Sequence, residues 1–301
     1  MEKLSVIIIN YNAGSFLLDT VHTVLDLGTA AKVIVVDNAS VDHSMDKVYD
    51  LASSQPLLAC IHNKTNVGFA KASNMGISFT GENDDLLFLN PDCVMKPDAL
   101  DKMLTCLRSH PQAAMVGPLL LNDDGTEQAG GRRSVPTPWR SFVRGFGLSK
   151  LSERYPKLFS DFLLHQQPVP EDIVEVEAIS GSCMLVRRAA IRDIGVLDEG
   201  YFMHCEDLDW CMRFRRGKWK IMFVPNARVL HYKEVCSKRH PLFVEWHKHK
   251  GMIRFYRKFF RHQYPGILMW IVALGVWIRF GVLATSYSVR NVGSMIGIGH
   301  E

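Results

Sequence analysis

What this chain lacks narrows its class before any motif is considered. Its 7 cysteines, Cys60, Cys93, Cys106, Cys183, Cys205, Cys211 and Cys236, contain no Cys-x-x-Cys pair. An odd number without paired spacing argues against a disulfide framework and for reduced thiols filling a cytosolic core. A zinc set drawn from His204, Cys205, Cys211 and His231 matches no structural zinc spacing and is set aside. No Gly-x-Gly-x-x-Gly follows the first apolar run, which counts against a dinucleotide-binding enzyme. There is no excess of one charge: 35 Lys and Arg stand against 31 Asp and Glu, a net charge of +4, so nothing here calls for nucleic acid. The opening "MEKLSVIIINYN" is apolar only from Val6 to Ile9. That is too short for a secretory h-region and right for a buried strand, so the protein is expected on the cytoplasmic side.

What is present reads as globular. With 301 residues, 47% hydrophobic and 22% charged, the chain can bury one large α/β domain with extensions, or two small domains. "LSVIII" (Leu4 to Ile9), "KVIVVD" (Lys32 to Asp37), "LLACIH" (Leu57 to His62) and "DLLFLN" (Asp85 to Asn90) read as buried strands. "SFLLDTVHTVLDLG", Ser44 to Ser53 and "GFAKASNMGISF" read as helices between them. The alternation predicts an α/β fold with a doubly wound, mainly parallel sheet, whose ligands bind at the carboxyl ends of the strands. Those ends run into "NYN", "DNAS", "NKTN" and "NPD". One polar strand end is a turn signal; four on one rim place Asn10, Asp37, Asn66 and Asp92 around a common cleft.

"FMHCEDLDWCMRFRR" (Phe202 to Arg216) concentrates Glu206, Asp207 and Asp209 ahead of Arg213, Arg215 and Arg216. Acids in a first helical turn and cations in the last complement the helix dipole, at about 0.3–1 kcal/mol each, and Gly217 supplies a stop. On its own the segment needs no catalytic explanation.

Taken together, "SVIIINYN", "VIVVDNASVD", "NVGFAKASNMGI", "LFLNPD", "GSCMLVRRAAIRDIGVLDEGYFMHCEDLDWCMR" and "VLHY" resemble the inverting glycosyltransferases of family two, with a GT-A fold. The likeness is greatest to the bacterial rhamnosyltransferase-like branch that uses nucleotide sugars to build cell-surface polysaccharide, and it runs from Leu4 to Tyr232. It implies that Asn10, Asp37 and Asn38 lie at the nucleobase and ribose, and Asn66, Gly68, Lys71 and Asn74 along the nucleotide. Read from the residues alone, Gly68 equally suits a helix-start turn and Asn74 a solvated helix position. Asp92 aligns with the last acid of a metal-binding acid-x-acid motif that would hold Mg²⁺ or Mn²⁺ against the diphosphate. Asn90 replaces the first acid, and His231 becomes an additional ligand candidate. Asp207 occupies the position of the general base, which must reach the attacking hydroxyl. Glu206 takes a supporting role, and Asp209 serves the helix dipole.

The segment from Asn122 to Pro170 is rich in Gly and Pro and reads as a flexible connector or lid, with Arg132 and Arg133 solvated, a diphosphate contact being the less favoured reading. The tail differs in kind. "HKHKGMIRFYRKFFRHQYP" is basic and aromatic, and "GILMWIVALGVWIRFGVLATSYSV" carries Arg279 as its only charge. Arg279 makes spanning a bilayer costly. A helix in the interface, with Trp and Phe inward and Lys and Arg at anionic headgroups, fits as well, and a buried hairpin on the catalytic domain or a second subunit is the alternative. The expected division is a catalytic domain over 1–240, with a nucleotide-sugar half near 1–121 and an acceptor half near 171–240, and a membrane-associating tail over 241–301. The partners expected are a nucleotide-sugar donor, with dTDP-L-rhamnose first and a UDP-sugar as runner-up, a lipid-linked or polysaccharide acceptor and the membrane surface, with a second copy in a homo-oligomer as a further candidate. A catalytically inactive sugar-nucleotide-binding scaffold is the reading from another class. A nucleotidyltransferase would want basic residues that "NYNAGSF" lacks.

Overall fold

A computed structural model of the protein describes residues 3–145, 147–232 and 241–295; Cys236 lies outside them. The first half alternates as expected: β1 (Leu4–Asn10), α1 (Phe16–Asp26), β2 (Lys32–Asp37), α2 (Asp46–Ser54), β3 (Leu58–His62), α3 (Phe69–Ile77) and β4 (Asp85–Leu89). Then come β5 (Cys93–Met95), α4 (Ala99–Ser109), β6 (Ala113–Leu121), β7 (Arg132–Arg133), α5 (Pro138–Gly145), a 3₁₀ turn (Leu148–Glu153) and α6 (Pro156–Phe159). The second half holds β8 (Val174–Glu175), β9 (Ala178–Ile179), β10 (Cys183–Val186), α7 (Arg188–Ile194), α8 (Glu206–Arg216), β11 (Lys220–His231), α9 (Pro241–Phe260) and α10 (Gly266–Met295).

The main sheet runs β3-β2-β1-β4-β10-β6-β11-β5, with β8 paired to β11. β3, β2, β1, β4, β6 and β11 are parallel, whereas β10, β5 and β8 run against their neighbours. β1 shows why both faces must be covered. Its Leu4, Val6 and Ile8 join one apolar cluster with residues of α1 and α4, while Ile7 and Ile9 join another with α3, α8 and α9. A strand apolar on both sides is stable only between two helical layers. Trp210 of α8, fully buried, seats its ring edge-on against Phe88 of β4 at 5.5 Å.

Two expectations are corrected. The segment after β6 is not a loose connector: β7 pairs with β9, Arg140 binds Glu177 at 2.7 Å, and Arg144 binds Asp161 at 2.6 Å. The tail's basic and aromatic residues do not all face a membrane. Phe255, Tyr256, Phe259 and Phe260 of α9 are buried in the same cluster as Leu208 of α8. Arg254 and Lys258 bind Asp198 at 2.9 and 2.6 Å, and Lys258 also reaches Asp209 at 2.6 Å. α10 behaves differently. Gly266–Tyr287 is 22 residues long with mean hydropathy 2.2, long and apolar enough to cross a membrane, and only 6% of that stretch is buried.

Gly68 opens α3 at φ 86, and a β-carbon there would lie 2.5 Å from the Phe202 carbonyl that accepts the Phe69 N–H. Gly68→Ala is therefore expected to lose about 1–3 kcal/mol, the scale of one strained backbone position, measured as a shift of the urea midpoint.

Candidate active site

The carboxyl ends of β1 and β2 meet in one polar network. Asn10 donates to Asp37 at 3.1 Å and to Ser40 and Ser44 at 2.9 and 2.8 Å, and Asp37 also holds His62 Nδ1 at 2.8 Å. Next to it, Asn38 donates to Asn66 at 2.8 Å and accepts from Asn63 at 3.2 Å and from the Val67 N–H at 3.0 Å. Asn10, Asp37, Asn38 and Asn66 thus belong to one rim. Two neighbours have structural roles. Gly68 is the cap of α3, and Asn74 clamps the following loop, donating to Leu197 O at 2.9 Å and accepting from Leu197 N at 3.1 Å. Asn74 is half-buried rather than a simply solvated helix position. Lys71 is exposed.

After β4, a second group gathers. Asp92, Cys93 and His231 offer ligand atoms within 4.8 Å of one another, all three residues buried. Gln128 fixes the imidazole. Its amide nitrogen donates to Asn122 Oδ1 and to the His231 carbonyl, so its Oε1 faces His231 Nδ1 at 2.6 Å and Nδ1 is the donor. Nε2 then lies 3.2 Å from Asp92 Oδ1, an oxygen with no hydrogen-bond donor among the described residues, and 3.4 Å from Asn90 Nδ2. Nε2 and Oδ1 held this close suit a cation between them, a metal ion or a proton. Aspartate oxygen and imidazole suit a divalent ion such as Mn²⁺. Burial, then the charge of Asp92, pushes the Cys93 thiol well above its ordinary value. His204, Cys205 and Cys211 form no metal cluster with His231 among the described residues.

The third group is the start of α8. His204 and Cys205 both sit in the left-handed region, at φ 64 and 70, a strained entry of the sort that concentrates at functional sites. α9 closes on it through Gly251, where a β-carbon would come within 2.9 Å of the His204 carbonyl. Asp207 Oδ2 accepts from Arg133 Nη2 and from the Gly181 N–H at 3.0 Å, and Oδ1 accepts from the Leu208 N–H at 2.7 Å. Burial would raise this carboxyl, but the Arg133 charge and these hydrogen bonds hold it below its usual range. Glu206 meets the opposite outcome. Burial first, then the charge of Asp207, pushes it up to about 8, and its Oε2 is buried with no hydrogen-bond partner among the described residues.

The second and third groups share a rim. β10 runs antiparallel beside β4, with Cys183 opposite Leu89, and the Asn90 N–H donates to Ser182 O at 2.8 Å. The turn whose Gly181 N–H holds Asp207 is therefore tied to the turn that leads to Asp92.

This order of elements has known counterparts. Residues 5–195 match the sequence profile described as Glycosyl transferase family 2. The chain belongs to that family. It is 29% identical over 252 residues to the N-acetylglucosaminyl-diphospho-decaprenol L-rhamnosyltransferase of Mycobacterium tuberculosis (strain ATCC 25618 / H37Rv), covering 80% of this chain and 79% of the relative. The rhamnosyltransferase WbbL of Escherichia coli (strain K12) is 29% identical over 171 residues, 55% of this chain and 61% of the relative. Mannosyltransferase PcManGT from Pyrobaculum calidifontis, solved in complex with GDP-Man and Mn²⁺, superposes with a TM-score of 0.57 at 14% identity over 99% of this chain and 81% of its own. The fold is GT-A, and the protein is a glycosyltransferase.

Sequence reasoning placed two residues of this glycosyltransferase wrongly. Arg132 is not solvated but 4% exposed, with a two-pronged grip on Glu127 at 2.8 and 3.0 Å. Arg133 is half-buried and donates to Asp207 and to Ile179 O. A doubled arginine between two glycines and a proline reads as a solvated loop; its partners lie far along the chain. Asp209 does more than serve the helix dipole: it is fully buried, with Tyr201 at 3.1 Å, Arg213 at 2.7 Å and Lys258 at 2.6 Å. Gln128 had no signal in the sequence at all.

The raised Glu206 carboxyl makes a pH prediction. The folded protein keeps this proton up to about 8, whereas an unperturbed glutamate releases it near 4.5. Between those values the folded state binds more protons than the unfolded one, so this group removes stability as pH rises. Glu206→Gln is expected to gain on the wild type in melting temperature as pH goes from about 5 to about 8; a constant difference between the two proteins would show that Glu206 is ionised in the fold.

Proposed function

We propose that the protein transfers L-rhamnose from dTDP-L-rhamnose to a hydroxyl of a lipid-linked acceptor at the cytoplasmic face of the membrane, with inversion, and that Asp207 is the general base. The observation that carries this reading is the pairing of a buried, ionised carboxylate with a buried aspartate–histidine pair on one rim of a family 2 glycosyltransferase. The sugar and the acceptor class rest on likeness to the mycobacterial and Escherichia coli rhamnosyltransferases. Another nucleotide sugar on the same machinery is the second reading. An inactive scaffold is disfavoured because it would have no use for a carboxylate kept charged at the expense of burial.

The residues divide the work as follows. Asn10, Asp37, Asn38 and Asn66 form a preorganised wall for the nucleoside, with Gly68, Lys71 and Asn74 beyond it. Asp92 and His231 would hold Mg²⁺ or Mn²⁺, which would neutralise negative charge building on the leaving diphosphate. A single displacement needs one base and no covalent intermediate. Asp207 Oδ1 makes one hydrogen bond and keeps a lone pair for the acceptor hydroxyl, while Arg133 and Gly181 fix its other oxygen. Glu206, carrying its proton, adds no second charge beside the base. The catalytic unit extends through α9, whose apolar face is part of its core, and α10 is the membrane-associating element.

Asp207→Asn is expected to leave nucleotide-sugar binding in place and lower transfer by about 10²–10⁴, the span of general-base catalysis. Asp209→Asn is expected to act on stability, by about 1–3 kcal/mol from the unpaired groups it leaves, with transfer per folded molecule nearly intact. Rates, binding and melting points of both variants decide it; a similar mild rate loss in both would remove Asp207 from the chemistry.

Asp92→Asn tests the ion site by a readout independent of turnover. Titration with Mn²⁺ followed by paramagnetic resonance is expected to show a bound ion in the wild type and at least tenfold weaker binding in the variant, the scale of losing one shell of a metal site. Equal Mn²⁺ binding in both proteins would place the ion elsewhere.

A further inference from the structure

α9 carries two pairs of cations that meet different fates. Arg254 and Lys258, four residues apart, are bound to Asp198 and Asp209 of the catalytic body. Arg257 and Arg261, also four residues apart and so on one face of the helix, are exposed and make no ion pair or hydrogen bond among the described residues. They instead border a cavity of about 500 Å³ between α9 and α10, with Ile253, Met269 and Val272 on its apolar side and Trp270 beside them.

We infer that this cavity binds the phosphate headgroup of an anionic membrane phospholipid, with Arg257 and Arg261 on the phosphate and the apolar wall along the start of the hydrocarbon chain. The inference rests on the membrane association proposed above and names what that surface recognises. Three observations select this occupant. Two unpaired guanidiniums side by side match phosphate oxygens in geometry as well as charge. The wall opposite them is apolar, which a free inorganic anion would not use. From this cavity α10 continues as a stretch exposing Ile267, Trp270, Ile271, Leu274, Ile278 and Val282, an apolar face too large to leave in water. The cavity therefore lies where cation meets hydrocarbon, the level of a headgroup.

The test uses the full chain and vesicle sedimentation, with vesicles of phosphatidylcholine alone and vesicles containing phosphatidylglycerol. The wild type is expected to bind both and to prefer phosphatidylglycerol. Arg257→Gln with Arg261→Gln is expected to lower binding to phosphatidylglycerol vesicles roughly 30-fold, the effect of two headgroup cations, and to leave the weaker phosphatidylcholine binding unchanged. Lys248→Gln with Lys250→Gln removes as much charge from the same helix; Lys248 lies about 13 Å along the axis from Arg257, beyond the screening length, so most of the preference should remain. Ala273→Trp fills the cavity without touching charge and is expected to abolish the preference.

An equal loss in the Lys248 and Lys250 variant, or full preference in the Ala273 variant, would overturn the site in favour of diffuse charge. Loss of the preference to millimolar inorganic phosphate would make it a free-anion site, and a greater preference for vesicles doped with a polyprenyl diphosphate would assign it to the acceptor carrier; either result overturns the phospholipid. A wild type that binds neither vesicle removes the membrane reading itself, whereas equal binding to both removes only the headgroup site.

Discussion

Three carboxylates packed into one buried helical turn are the constraint around which the acceptor side is organised. Removing a carboxylate from water costs several kcal/mol even after relaxation, and Glu206, Asp207 and Asp209 are all below 9% exposed. Each is relieved differently. Asp207 keeps its charge through a guanidinium and two backbone N–H groups. Hydrogen bonds to a charged group contribute roughly 1.5–3 kcal/mol each, enough in sum to offset the burial. Asp209 keeps contact with two cations and a phenol. For Glu206, burial and the charge of Asp207 outweigh its own backbone N–H and the Arg133 charge, and protonation is what remains. The surrounding elements follow from these needs: β7 must come close to deliver Arg133, and α9 must pack on α8 to deliver Lys258.

How much of this was legible depends on how local each signal is. The alternation of β1 to β4 with α1 to α3 is written in short apolar runs, and the element bounds shifted by only a residue or two. β4 stops at Leu89 because the Asn90 N–H turns to Ser182. The rim formed by Asn10, Asp37, Asn66 and Asp92 could be placed because strand order alone brings parallel carboxyl ends together. Two of the three antiparallel members were not legible: β5 and β8 are only 3 and 2 residues long, too short to show a period.

The side-chain partners were the least legible part, for a physical reason. Arg133 meets Asp207 across 74 positions, and Gln128 meets His231 across 103. Composition around Arg132 and Arg133 speaks for a turn, and the turn is there; what it cannot carry is the identity of a group brought in by the sheet. The same holds for Asp209. An acid in a first helical turn has a sufficient local explanation, and only the position of Lys258, 49 residues on and arriving from another helix, makes it part of the core electrostatics.

The basic stretch of α9 shows how one helix can answer two demands. Residues three apart are rotated by about 60° around an α-helix, so the pair Arg254 and Lys258 and the pair Arg257 and Arg261 lie on adjacent faces. The first pair is consumed by acids of the catalytic body. The second makes no ion pair among the described residues and borders the cavity against α10. Because Gly251 lets the same helix lie directly on the strained turn before Glu206, the spacing between that turn and the outer cations is set by rigid helix, about 9–15 Å along the axis from Gly251 to Arg257 and Arg261. On the proposed reading, a lipid layer that touches the outer pair is thereby held at a fixed distance from the candidate base. A flexible linker of the same composition would deliver the charges but not the distance, which is why the burial of Phe255, Tyr256, Phe259 and Phe260 matters as much to such a function as the arginines themselves.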